Sequence, residues 1–162
     1  MKIGIMSDTH DHLPNLRKAL EIFKAQGCRK ILHAGDFAAP FVMRLFKEFS
    51  IPFTGVFGNN DGDWIMLLKA AQGIGEIKKG PVELELAGRK IALMHEPVFI
   101  DALKQSRGYH LIVSGHTHLK VMEAAEGQML VINPGECSGY LTNQPTVVVC
   151  DLEELSAKII DL

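Results

Sequence analysis

Short apolar runs along this chain end abruptly in polar residues. KIGIMS (2–7) is followed at once by Asp8-Thr9-His10, KILHAG (30–35) by Asp36, and PFTGVFG (52–58) by Asn59-Asn60-Asp61. Such runs, bounded by glycine and polar residues, read as buried strands. Between the first two, PNLRKALEIFKAQG sets Leu16, Leu20 and Phe23 at helical spacing, with Pro14 near the start and Gly27 just past the end. Pro40 to Phe49 reads as a second helix and Asp63 to Ala71 as a third, shorter one. This β-α-β-α-β-α opening predicts an α/β sheet whose strand ends face loops on one side.

The pattern then changes. VELELAGRKIALMH (82–95) alternates at Val82, Leu84 and Leu86, turns at Ala-Gly and returns as an apolar strand to His95, a predicted hairpin. A helix near 98–107 and the strand YHLIVSG follow. KVMEAAEGQMLVINPG reads as a second hairpin turning near Gly127, and PTVVVCDLEELSAKIIDL as two more strands around Glu153–Glu154. The expected packing joins an α/β first half to a largely antiparallel second half. Two sheets would lie face to face with helices outside, in one domain over residues 1–162.

Charge narrows the function. The formal net charge is −2, with no basic cluster and no acidic tail, so attraction to a nucleic acid backbone is not expected to be the main business. The three cysteines, Cys28, Cys137 and Cys150, stand in unrelated contexts and read as reduced, buried thiols. The N-terminal apolar run is too short for a signal peptide, and no run approaches membrane-spanning length. These features predict a cytoplasmic protein.

Five predicted strands end in metal-competent side chains: Asp8 and His10, Asp36, Asn59, His95, and His116 with His118 in GHTH. If the chain is extended at GHTH, His116 and His118 face one side, which points to a metal, a catalytic dyad or coincidence. The whole set is two carboxylates, one amide and four imidazoles. These donors suit Mn, Fe, Ni, Co or Zn and fit neither calcium nor a thiolate zinc site. Seven donors exceed what one open cation needs and suit two, if one carboxylate bridges. A pair of cations is the clamp used in phosphoryl displacement. Two divalent ions beside Asp8 and Asp36 would also leave a positive pocket for an anion.

The motifs D-x-H (Asp8, His10), G-D (Gly35, Asp36), G-N-x-D (Gly58, Asn59, Asp61), the strand-end His95 and G-H-x-H (His116, His118) resemble those of the calcineurin-like metallophosphoesterase superfamily. SDTHD near the start and NPGE (133–136) are similar to its small archaeal and bacterial phosphodiesterases. The resemblance implies a four-layer α/β/β/α sandwich of two mixed β-sheets flanked by helices, with a dimetal site at the rim formed by strand C-termini. It implies one metal on Asp8, His10, Asp36 and His118, and a second on Asp36, Asn59, His95 and His116. Manganese is the first expectation, with Ni, Fe, Co or Zn as alternatives. A metal-bridging water, as hydroxide, would attack a small phosphodiester, a nucleotide among the candidates. A homodimer is a further expectation from the resemblance. Asp61 would orient the ligands through hydrogen bonds.

Two positions depart from the superfamily pattern. Where many members carry a leaving-group histidine, this chain has Asn60, and Gly-His after the metal histidine is replaced by Glu96-Pro97. General-acid assistance is worth ~10²–10⁴-fold, so activated or diester substrates are expected. Glu96 would substitute as the acid only with a raised pKa, whereas a carboxylate beside dications stays ionised. The remaining candidates have plainer readings. His12 and His110 are expected in loops, and His33 in the core or supporting the ligands. Phe41 and Phe46 are read as core or interface, Trp64 as core with a border on the substrate as its alternative, and Cys137 as structural. The competing function is a protein-binding scaffold of the same fold, as in the retromer subunit that has lost metal-site side chains. Here all seven donor positions are filled. A nuclease for polymeric nucleic acid would need further domains or a basic surface.

Overall fold

The computed structural model describes residues 1–125 and 129–162; the turn expected near Gly127 lies outside them. In the first half β1 (Lys2–Met6), β2 (Ile31–His33), β3 (Phe53–Val56) and β4 (Gly75–Lys78) alternate with α1 (Leu13–Ala25), α2 (Met43–Phe49) and α3 (Trp64–Ala71). Then come β5 (Val82–Leu86), β6 (Arg89–Leu93), α4 (Ile100–Ser106), β7 (Leu111–Val113), β8 (Lys120–Ala125), β9 (Met129–Pro134), β10 (Thr146–Asp151) and β11 (Ser156–Asp161). They build a six-stranded sheet, β11-β10-β1-β2-β3-β4, and a five-stranded sheet, β5-β6-β7-β9-β8.

Period-two burial explains the layering. Ile3, Ile5, Leu32, Ala34, Val148 and Cys150 point from the first sheet to Ile91, Leu93, Leu111, Val113 and Ile132 of the second. The alternate residues, Met6, Ile31, Phe53 and Val147, meet Leu16, Leu20 and Phe23 of α1 and Phe46 of α2. On the far side, Ala92, Met94, Ile112 and Val131 meet Ile100 and Leu103 of α4. The result is the four-layer α/β/β/α sandwich. Both sheets are mixed.

Two expectations about strands change. β4 was not visible in the sequence, because GEIK offers a single buried residue, Ile77, between charged neighbours. The second half is also less antiparallel than its hairpins suggest. β6 pairs parallel with β7, and β7 parallel with β9. The cause is connectivity: α4 crosses over between β6 and β7, and β8 is an edge strand that turns the chain back into β9. Seven strands, β1 to β4 in one sheet and β6, β7 and β9 in the other, therefore deliver their C-terminal ends to one rim. No helix of the described residues is long and apolar enough to cross a membrane.

Candidate metal centre

The loops leaving these strands turn sharply. Asp8 (φ 53°), His10 (φ 40°), Asp36 (φ 61°), His116 (φ 68°) and His118 (φ 61°) all adopt the left-handed conformation, which costs non-glycine residues energy and concentrates at functional sites. This corrects the expectation for GHTH. β7 ends at Val113, so His116 and His118 lie on a loop and not on a strand. They face different partners.

His118 turns to the first loop, with Nε2 3.4 Å from Asp8 Oδ1 and its ring centroid 5.3 Å from that of His10. His116 turns to the third and fourth, with Nδ1 2.9 Å from Asn59 Oδ1 and its ring edge-on to His95, centroids 5.1 Å apart. Asp36 stands between the two pairs: Oδ2 is 3.5 Å from His10 Nε2 and 3.5 Å from His95 Nε2. Of the expected donors, Asp8, His10 and His118 form one compact group, and Asp8, Asp36 and His95 another. Asn59 joins the second side, its Oδ1 2.8 Å from His95 Nε2.

The residues fit cations. His95 Nδ1 lies 2.8 Å from the Ala34 carbonyl; as the donor there, it leaves Nε2 with a free lone pair. That lone pair meets the Asn59 and Asp36 oxygens, so acceptors converge on acceptors. Ligand atoms ~2.1 Å from a shared cation lie ~3 Å apart, the spacing seen here. Asp8 Oδ1 and His10 Nε2 are buried and have no hydrogen-bond partner among the described residues. Burial pushes the Asp8 carboxyl above its ordinary range, a penalty that a cation would offset. Backbone closeness is also required. A Cβ on Gly58 would overlap the Asp36 carboxylate and come within 2.5 Å of its amide nitrogen.

Several residues hold the donors without facing the convergence point. Asp61 accepts hydrogen bonds from the backbone N–H groups of Asp36 (3.2 Å), Ala38 (2.8 Å) and Gly58 (2.8 Å), tying the second loop to the third. Asn60 donates its backbone N–H and its side-chain amide to the two Asp36 oxygens, each at 2.8 Å. His33, buried and kept neutral by desolvation, accepts at Nδ1 from Gly35 N–H (3.2 Å) and donates from Nε2 to Thr9 Oγ1 (3.2 Å), which donates to the Asp36 carbonyl (3.1 Å).

Glu136 had no role in the sequence reading, although NPGE was noted. It is fully buried and accepts from His118 Nδ1 (2.9 Å), Ser138 Oγ (2.9 Å), Leu141 N–H (3.0 Å), and the Thr142 N–H and hydroxyl. Burial alone would raise its pKa, but the donations from Thr142, His118 and Ser138 outweigh it and hold the carboxyl down to about 2. A carboxylate behind a ligating histidine fixes the ring and its tautomer. Asn133 likewise donates to the Gly115 carbonyl (2.8 Å) and the Thr117 hydroxyl (3.1 Å), steadying GHTH.

The other candidates lie elsewhere. His12 caps α1 by accepting from Asn15 N–H, and His110 accepts from Lys90 N–H. Phe46 is core and Phe41 exposed. Cys137 is buried in the layer between the first sheet and its helices, where desolvation pushes its thiol far up.

A two-sheet α/β sandwich with an Asp/His/Asn cation centre at its strand-end rim is the class defined so far. The model of the calcineurin-like phosphoesterase superfamily domain matches residues 1–155. A phosphodiesterase of Methanocaldococcus jannaschii is 42% identical over 159 residues, 95% of each chain. The solved structure of an archaeal phosphodiesterase, 39% identical, superposes with a TM-score of 0.94 and covers 100% of both chains. A phosphoesterase from E. coli, 21% identical, shares the fold with a TM-score of 0.70, covering 99% of this chain and 98% of its own. The chain belongs to the calcineurin-like phosphoesterase superfamily.

Proposed function

We propose that this protein is a phosphodiesterase that uses two divalent cations to hydrolyse small phosphodiesters. One observation carries the reading: seven candidate donors from five loops converge, and two of their buried atoms, Asp8 Oδ1 and His10 Nε2, have no hydrogen-bond partner among the described residues. One cation would take Asp8, His10, Asp36 and His118. The other would take Asp36, Asn59, His95 and His116, with Asp36 shared. The imidazole pairing, His10 beside His118 and His95 beside His116, supports this division. The identity to a protein named a phosphodiesterase supports the diester as substrate.

Two such cations supply Lewis-acid stabilisation of the phosphoryl oxygens and a nucleophilic water at neutral pH. The chain does the positioning. Asn60 fixes both Asp36 oxygens, Asp61 joins the second and third loops, and Glu136 orients His118. Asn60 spends its amide on Asp36, so no histidine or amide there assists the leaving group. That favours diesters and good leaving groups. We further propose manganese as the metal, with Ni, Fe, Co or Zn compatible with the donors, and a nucleotide-type diester as substrate. A single domain over 1–162 that can pair as a homodimer belongs to the same proposal. Three buried free thiols support a reducing, cytoplasmic setting. The scaffold alternative is not favoured, since every donor position is filled.

The test uses protein stripped with chelator and resupplied with manganese, assayed on an aryl phosphodiester and the matching monoester. Turnover should return only with metal and be faster on the diester. Glu96→Gln, assayed alongside on a poor-leaving-group ester, should change kcat by less than about threefold, against the ~10²–10⁴-fold loss expected of a general acid. Metal-independent turnover, or a large Glu96→Gln defect, would refute the respective part.

A further inference from the structure

Beside the metal centre lies a cleft of ≈ 270 Å³ whose lining includes Phe57, Trp64, Lys79, Val98 and Phe99. Asn59 and His95 line it too, so it is continuous with the second side of the centre. Its chemistry differs sharply from that of the donors. Trp64 lies flat on Phe57, with ring centroids 4.2 Å apart and planes within 5°. Its indole N–H donates to the Asp61 carbonyl at 2.8 Å, which fixes the ring to the same loop that organises Asp36. One face of the indole is thus occupied, yet Trp64 remains 40% exposed. Val98 and Phe99, at 67% and 50% exposure, follow directly on the loop after His95.

Pinned aromatic surface left wet beside a polar centre is costly as structure and useful for binding. A rigid indole offers a π-face at little entropic cost, and any flat ring can use it. A phosphate bound at the centre beside Asn59 and His95 would send one of its ester arms into this cleft. Lys79 adds a cation to the lining, which suits a ligand that arrives as an anion.

We propose that the cleft is the subsite for an aromatic arm of the substrate, its ring stacked against Trp64 and flanked by Phe99. The inference rests on the phosphodiesterase reading and narrows its substrate class to esters bearing an aryl group or a nucleobase. An alkyl ester of the same charge would bind through the phosphate alone.

Trp64 is the sole tryptophan, so its emission reports on the cleft directly. Metal-loaded protein would be titrated with methyl phosphate, phenyl phosphate and adenosine monophosphate. The ring-bearing ligands should change Trp64 emission saturably and bind about tenfold tighter than methyl phosphate, the ratio expected of one ring stacking on an aromatic side chain. Phe99→Ala should reduce that ratio; its side chain is exposed, so the fold is not at risk. Tighter binding of the nucleotide than of phenyl phosphate would assign a nucleobase, and equal binding a simple aryl group. Equal affinity for all three with unchanged emission would overturn the subsite. Turnover of diesters without any Trp64 response would leave the phosphodiesterase reading intact and remove the subsite. A Trp64 response without turnover of any ester would do the reverse.

Discussion

Asp36→Ala should abolish metal-dependent ester hydrolysis. The loss in kcat/KM should exceed by a wide margin the ~10–100-fold typical of a residue that only orients a ligand. Asp36 is the carboxylate that faces both imidazole pairs, 3.5 Å from His10 on one side and 3.5 Å from His95 on the other. Losing it would remove a donor from each of the two proposed cations and the negative charge that would let two dications approach. Because Asp36 holds a left-handed φ of 61°, alanine adds backbone strain, so Asp36→Asn serves as the control: asparagine tolerates that conformation but bridges poorly. Both variants should lose activity while Asp36→Asn keeps its unfolding midpoint. A loss of less than 100-fold in either would contradict the bridging role.

Glu136→Ala should carry the largest stability cost, about 3–5 kcal/mol, as expected when a buried carboxylate is removed from partners that stay buried. His118 Nδ1, the Ser138 and Thr142 hydroxyls and two backbone N–H groups would lose their acceptor together. Urea unfolding of the metal-free protein measures this without contribution from metal binding. Metal affinity should fall as well, because His118 loses its orienting partner. Acid supplies an independent check. The Glu136 pKa is depressed from 4.5 to about 2, so its contribution is complete above 4.5 and lost as pH falls toward 2. Glu136→Gln should remove that part of the acid dependence.

The gathering of the seven candidate donors at one rim was legible in the sequence because each stands at the end of a buried run, and strand ends are where α/β sheets place their chemistry. The local backbone was not. The resemblance implied separate partners for His116 and His118, but the left-handed turns that send them to the two sides of Asp36 have no signature in histidine. Glu136 was missed because its burial is a tertiary feature. The predicted hairpin already returns β9 to the rim, with Pro134 opposite Lys120, but nothing in NPGE shows that the carboxylate folds inward behind His118. Trp64, read first as core, is instead exposed and borders the cleft beside Asn59 and His95.

A two-cation hydrolytic centre can be counted by titrating metal-free protein with manganese while following bound metal per chain and hydrolysis of an aryl phosphodiester in the same samples. Saturation is expected at two ions per chain, with activity rising as the second binds, and no such activity in His116→Ala. Saturation at one ion with full activity, or two bound ions with no turnover, would contradict a two-cation hydrolytic centre.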